Sequence, residues 1–176
     1  MEVLCRLSYS GVGVMIPSVR GRPNRFVAGL VVASALLAGC HASSAETTFG
    51  TANVTISTAA GSRSLHVQVA DDEPERQRGL MNRRTIAPYD GMAFVWGDPT
   101  QTTFWMKDTL IPLSIAFWDE RGRIVSILDM APCHEEPCPT YGPADPFVGA
   151  LEVDQGAFQR DGVQIGDHLT IADTHA

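Results

Sequence analysis

Cys133 and Cys138 stand five positions apart and enclose His134, Glu135 and Glu136. Such a cluster supports two chemistries. In an exported protein the two thiols favour a disulfide that closes a small ring. The alternative is a metal site with sulfur, nitrogen and oxygen donors. Zinc sites usually use a shorter cysteine spacing and a second ligand pair, which His66, His168 and His175 do not supply as any motif, so no metal is assigned. A second candidate is the stretch Thr103-Phe104-Trp105-Met106-Lys107. With Phe104 and Met106 turned inward, strand alternation sends Trp105 and Lys107 to the other face. Together with Arg76, Arg83, Tyr141 and Glu152 these form a candidate binding site for an anionic or sugar-like ligand. A catalytic alternative uses Glu152, Asp119 and Lys107, and requires at least two of them to converge with one perturbed pKa. The methionines Met81, Met92, Met106 and Met130 could be soft copper ligands, but they are scattered among apolar neighbours and read as core. The chain lacks G-x-S-x-G, H-E-x-x-H and a phosphate-binding glycine loop, so no nucleophile and no cofactor is assigned.

These residues need a scaffold, and periodicity supplies one. Val54 and Ile56, then Leu65, Val67 and Val69, follow the period of two of half-buried strands, with a turn at Ala59-Ala60-Gly61-Ser62 between them. Asp72-Glu73-Pro74-Glu75 predicts a helix start with a capping aspartate, and Gly79 its end. Strand-like segments follow at residues 92–96, 102–107, 113–118 and 123–130, the last two joined by Asp119-Glu120-Arg121-Gly122. Residues 132–146 hold five prolines, show no periodicity and read as a long loop of the kind that is functional or mobile. An apolar strand at 148–153, a helical turn at 155–160 and a last strand at 168–171 close the chain. The expected fold is mainly β: a compact β-sandwich or barrel, jelly-roll-like, with two short helices.

The front end has a different character. Arg20, Arg22 and Arg25 precede the uncharged apolar run 26–39, which is the anatomy of a signal peptide and, at fourteen residues, shorter than the roughly 20 a membrane-spanning helix needs. The run ends in Leu37-Ala38-Gly39-Cys40, which resembles the lipobox of bacterial lipoproteins. That resemblance implies cleavage after Gly39, a diacylglyceryl thioether on Cys40 and acylation of the new amino terminus. Met15 is an alternative start. The expected division is therefore a signal peptide over residues 1–39, a lipid-anchored polar tether over 40–52 and a single domain over 53–173. The chain is expected on the bacterial cell membrane or outer membrane, held by the lipid on Cys40 and facing the periplasm or exterior.

Composition narrows the function classes further. The 176 residues are 44% hydrophobic and 19% charged, as in ordinary globular proteins. Thirteen Lys and Arg against 20 Asp and Glu give a net charge of −7, which leaves no basic stripe for nucleic acid. The expected partners are instead the membrane, through the lipid, and an unidentified small ligand or envelope protein.

Several of these residues occur in an order that resembles the domain of unknown function 192 family. The motif residues are Glu75-Arg76, Arg78-Gly79-Leu80-Met81 and Arg83; Gly91-Met92 with Phe94; Phe104-Trp105-Met106-Lys107 through Thr109 to Ile111-Pro112-Leu113; Gly122; Tyr141; Leu151-Glu152-Val153 with Gly156; and Gly162 with Gly166-Asp167. The resemblance implies a compact jelly-roll-like β domain, often exported or lipid-anchored, with no established activity. The cysteine pair ahead of Tyr141 also fits that family's common pattern. At Ser114 the chain departs from the many relatives that carry aspartate after Pro-Leu, so a role needing a carboxylate at that position is in doubt here.

Overall fold

The computed structural model describes residues 48–173. The signal peptide, Cys40 and the tether as far as residue 47 lie outside the described residues. Within them the order is β1 (Gly50–Thr58), β2 (Gly61–Ala70), α1 (Glu73–Arg78), β3 (Gly91–Thr100), β4 (Phe104–Trp105), β5 (Leu113–Trp118), β6 (Ile124–Met130), β7 (Thr140–Tyr141), β8 (Phe147–Asp154), α2 (Ala157–Arg160) and β9 (His168–Asp173). The mainly β fold with two short helices follows the periodicity. β1 starts at Gly50, inside the stretch assigned from its small polar residues to the tether. Its register against β2 runs from Gly50–Val69 to Thr58–Gly61, and Ala52 is fully buried.

Seven strands form one mixed sheet in the order β6-β5-β8-β3-β2-β1-β9, while β4 and β7 pair in a sheet of their own. β2 and β3 are parallel, so the chain must cross over between them, and α1 lies in that crossover. The sheet curls until Arg123, just before β6, bridges His168 at the start of β9, yet it does not close into a barrel. Alternation sorts the side chains onto two faces. Ala93, Ala116, Leu151 and Val153 join one apolar cluster with Val54, Val67 and Phe158. Met92, Phe94, Ile115, Phe117 and Ala150 join a second, covered by Leu80, Ile86, Phe104, Met106 and Tyr141. Gly149 is required where β8 passes β5, because a Cβ there would fall 2.0 Å from the Trp118 ring.

α1 is too short to hold itself together and depends on its caps. The Asp72 side chain accepts from the Glu75 N–H, and the Glu75 carboxylate reaches back to the Asp71 N–H, one residue earlier than a standard capping box would place it. Gly79 ends the helix at φ 44°, and a Cβ there would meet the Phe94 ring at 3.3 Å. Asp72→Ala should therefore cost about 1 kcal/mol in urea unfolding. An unchanged midpoint would mean that α1 is held by packing alone.

Candidate functional site

β8 is a central strand, and its position 152 pairs with Met92 on β3 and Ile115 on β5. The alternation that sends Leu151 and Val153 to one face sends Glu152 to the face of Ala150, Met92 and Ile115. A carboxyl is thus set into an apolar layer, 5% exposed. It takes no hydrogen bond and no ion pair from any described residue. Burial alone raises its pKa from 4.5 to about 8, so at neutral pH the carboxyl is mostly protonated.

Glu152 lines a solvent-open pocket of about 190 Å³. Phe94 and Trp96 of β3 and Phe104 and Trp105 of β4 give it aromatic walls, and Thr103 and Thr109 add hydroxyls. The rings are locked edge to face: Phe104 lies 5.0 Å from Phe94, 6.1 Å from Trp96 and 5.6 Å from Phe117. α1 forms the remaining side with Glu73, Arg76 and Arg78. The Arg76 guanidinium sits 5.3 Å over Trp96, donates to the Asp71 and Val95 carbonyls and pairs with Glu73 at 3.5 Å. Its buried Nε has no partner.

Of the six binding residues drawn from the sequence, Arg76, Trp105 and Glu152 meet at this pocket. Trp105 is 51% exposed, as the alternation requires, while Met106 is buried behind it. Arg83 is not among the lining residues: it donates to Gln68 and lies 5.4 Å over the Phe49 ring, and burial lowers its pKa. Lys107 is not among them either: its ammonium is 2.8 Å from Glu136 and 5.4 Å over the Trp105 ring. That ion pair raises the Lys107 pKa and lowers that of Glu136. Tyr141 pairs by backbone with Phe104 and packs into the second apolar cluster rather than lining the pocket. The catalytic set does not assemble. The Asp119 carboxylate accepts from the Arg121 and Arg123 N–H groups of its own turn, and Lys107 is held by Glu136, so neither reaches Glu152.

Cys133 and Cys138 are joined in a disulfide. The loop they close is fastened beside the pocket strand by the Cys133 N–H donating to the Met106 carbonyl and by Glu136 holding Lys107. Among the described residues no three His, Cys, Asp or Glu side chains gather as metal ligands. Met92, Met106 and Met130 are buried in the core. A ring this small should contribute about 2 kcal/mol through loop closure. Cys133→Ala with Cys138→Ala should lower the unfolding free energy by that amount, and a wild type insensitive to reductant would show that the ring adds nothing.

Ser114, where many relatives carry aspartate, donates to Asp129 on the neighbouring strand and accepts from the Gly156 N–H at 2.8 Å. A larger hollow of about 430 Å³ adjoins this pair, but the hydroxyl and carboxylate there satisfy each other. The Glu152 pocket differs in offering an unpaired acid.

Phe94, Trp96, Phe104 and Glu73 are pocket residues that the sequence reading passed over. The spacing Met92-Phe94-Trp96 carried the signal, since every second residue of a strand shares a face.

A curled mixed sheet with an aromatic pocket lined by Glu152 and a short helix defines a mainly β domain. The family of uncharacterized ACR proteins, domain of unknown function 192, matches residues 54–171, and the chain belongs to that family. A Sinorhizobium meliloti 1021 protein provisionally described as a transcription regulator is 34% identical, with a TM-score of 0.64 over 72% of this chain and 97% of its own. A protein of unknown function from Novosphingobium aromaticivorans DSM 12444 is 30% identical, with a TM-score of 0.63 over 68% of this chain and 84% of its own. No curated protein matches the chain.

Proposed function

We propose that this protein is a lipid-anchored cell-envelope domain that binds a small ligand in the Glu152 pocket without transforming it. The observation that carries the reading is Glu152 itself. Burying a carboxyl without a partner costs several kcal/mol, and a pocket at that point gives the cost a use. The anchor rests on the Leu37-Ala38-Gly39-Cys40 motif and the apolar run before it. A noncatalytic role is favoured because Lys107 and Asp119 are engaged elsewhere, leaving the acid without a second group to share a reaction. The neighbour's description as a regulator would call for a nucleic-acid surface, and a net charge of −7 argues against one.

Thermal-shift screening of envelope sugars, amines and small acids tests the reading. A ligand should raise the melting temperature of wild type and of Arg160→Ala, on α2, but not of Trp105→Ala. A panel without any shift, or a shift unchanged in Trp105→Ala, would refute it.

A further inference from the structure

Glu152 is the buried carboxyl of the pocket, and its surroundings narrow the class of ligand that would fit there. Three kinds of small molecule could meet a buried carboxyl: an anion, a neutral hydroxyl compound or a cation. An anion would add like charge to a desolvated site or require the proton to stay in place. A neutral hydroxyl would exchange one ordinary hydrogen bond for those it gave up in water. A cation gains from the carboxylate and from the aromatic rings around it, and both gains are larger beside a carboxyl that is 5% exposed than in bulk water. One such contact is already present in the wall, where the Arg76 guanidinium lies 5.3 Å over the Trp96 ring. That guanidinium is committed to Glu73 and two carbonyls and does not pair with Glu152. The protein therefore leaves the acid without a cation of its own. At about 30 Å³ per water, a volume of about 190 Å³ holds about six waters, which suits a compact group such as an alkylammonium or one amino-sugar ring.

We infer that the pocket receives the ammonium group of a small organic amine, which bonds to the Glu152 carboxylate beside the aromatic side chains of Phe104, Trp96 and Trp105. The inference rests on the ligand-binding reading above and names its ligand class. No covalent bond changes: the carboxyl releases its proton to solvent and the ammonium N–H donors take its place. The other charged groups lining the pocket all come from α1. Glu73 offsets Arg76, and Arg78, exposed at the mouth, would meet any anionic tail. The facing strands β3 and β4 contribute Phe94, Trp96, Phe104 and Trp105 and no charge. The net charge of −7 on the full chain adds a field that draws cations.

The test is calorimetric titration of the protein with two matched sets: ethylamine, ethanol and acetate, then glucosamine, glucose and glucuronate. Paired buffers of different ionisation enthalpy count protons. The amine of at least one set should bind more tightly than its neutral and anionic counterparts and release close to one proton at pH 7. Its affinity should be about tenfold weaker at pH 6 than at pH 7, because a group titrating near 8 must first be deprotonated. Glu152→Gln should weaken amine binding by at least about tenfold. The proton count in wild type stands independently of how that variant folds. Tighter Trp105-dependent binding of the neutral or anionic compound, or amine binding without proton release, would overturn the inference while leaving a ligand pocket in place. No binding by any of the six would overturn both.

Discussion

Glu152→Gln should make the domain more stable at neutral and alkaline pH and leave it nearly unchanged near pH 4. The sign follows from the proton balance. Folding raises this carboxyl from 4.5 to about 8, so the folded state holds a proton that the unfolded state gives up between those values. The Glu152 contribution is thus fully present below pH 4.5, declines as pH rises and is exhausted above about pH 8. At about 1.4 kcal/mol for each pH unit the full loss is about 5 kcal/mol, of which about 3 is incurred by pH 7. Glutamine keeps the shape and carries no charge, so urea unfolding of the variant should show a much flatter pH profile. Parallel wild-type and variant profiles would mean that a partner or the pocket's water keeps the carboxylate ionised in the folded state. An amine bound at the pocket should reverse the trend in wild type, stabilising most where the carboxylate is ionised.

Phe117→Ala should cost about 3–5 kcal/mol, the range for truncating a fully buried aromatic side chain. The mechanism is specific to its position. Phe117 stands on the sheet at 5.6 Å from Phe104 and 4.8 Å from Phe147, and Phe147 in turn lies 5.4 Å from Trp96. Two rings of the pocket wall are therefore propped from below by one residue that does not touch the pocket. Denaturant titration should show the loss in stability, and ligand affinity should fall in the remaining folded protein as Phe104 and Trp96 lose their support. A cost under about 1 kcal/mol would mean that the cavity collapses freely and that the wall does not depend on the aromatic chain.

Local chemistry was readable wherever a short stretch decides it. The Asp72 cap, the Gly79 stop and the Asp119-Glu120-Arg121-Gly122 turn are set by residues within a few positions, and each sits where its sequence predicts. The outward Trp105 and inward Met106 follow from strand alternation alone. The strand expected over residues 102–107 shrinks to Phe104–Trp105, because its partner is the two-residue β7 in the long proline-rich loop and Asp108 turns at φ 55°. Side-chain partners chosen across the fold were the illegible part. Arg83 is claimed by Gln68 and Phe49, and Lys107 by Glu136 in the disulfide loop, all far from the positions that periodicity couples to them. Glu152 marked itself as the one charge within the apolar strand Phe147–Val153. Its isolation could not be read, since that depends on Arg76 being held by Glu73 and two carbonyls and on Lys107 being held by Glu136.

The account stands or falls on that isolation. Carbon-13 NMR titration of the Glu152 side-chain carboxyl in the ligand-free domain measures it directly. A midpoint near 8 is the predicted result, with the carboxyl protonated at neutral pH for want of any partner. A midpoint in the ordinary carboxylate range near 4.5 would contradict it, and would remove the basis for both the pocket's role and its preference for amines.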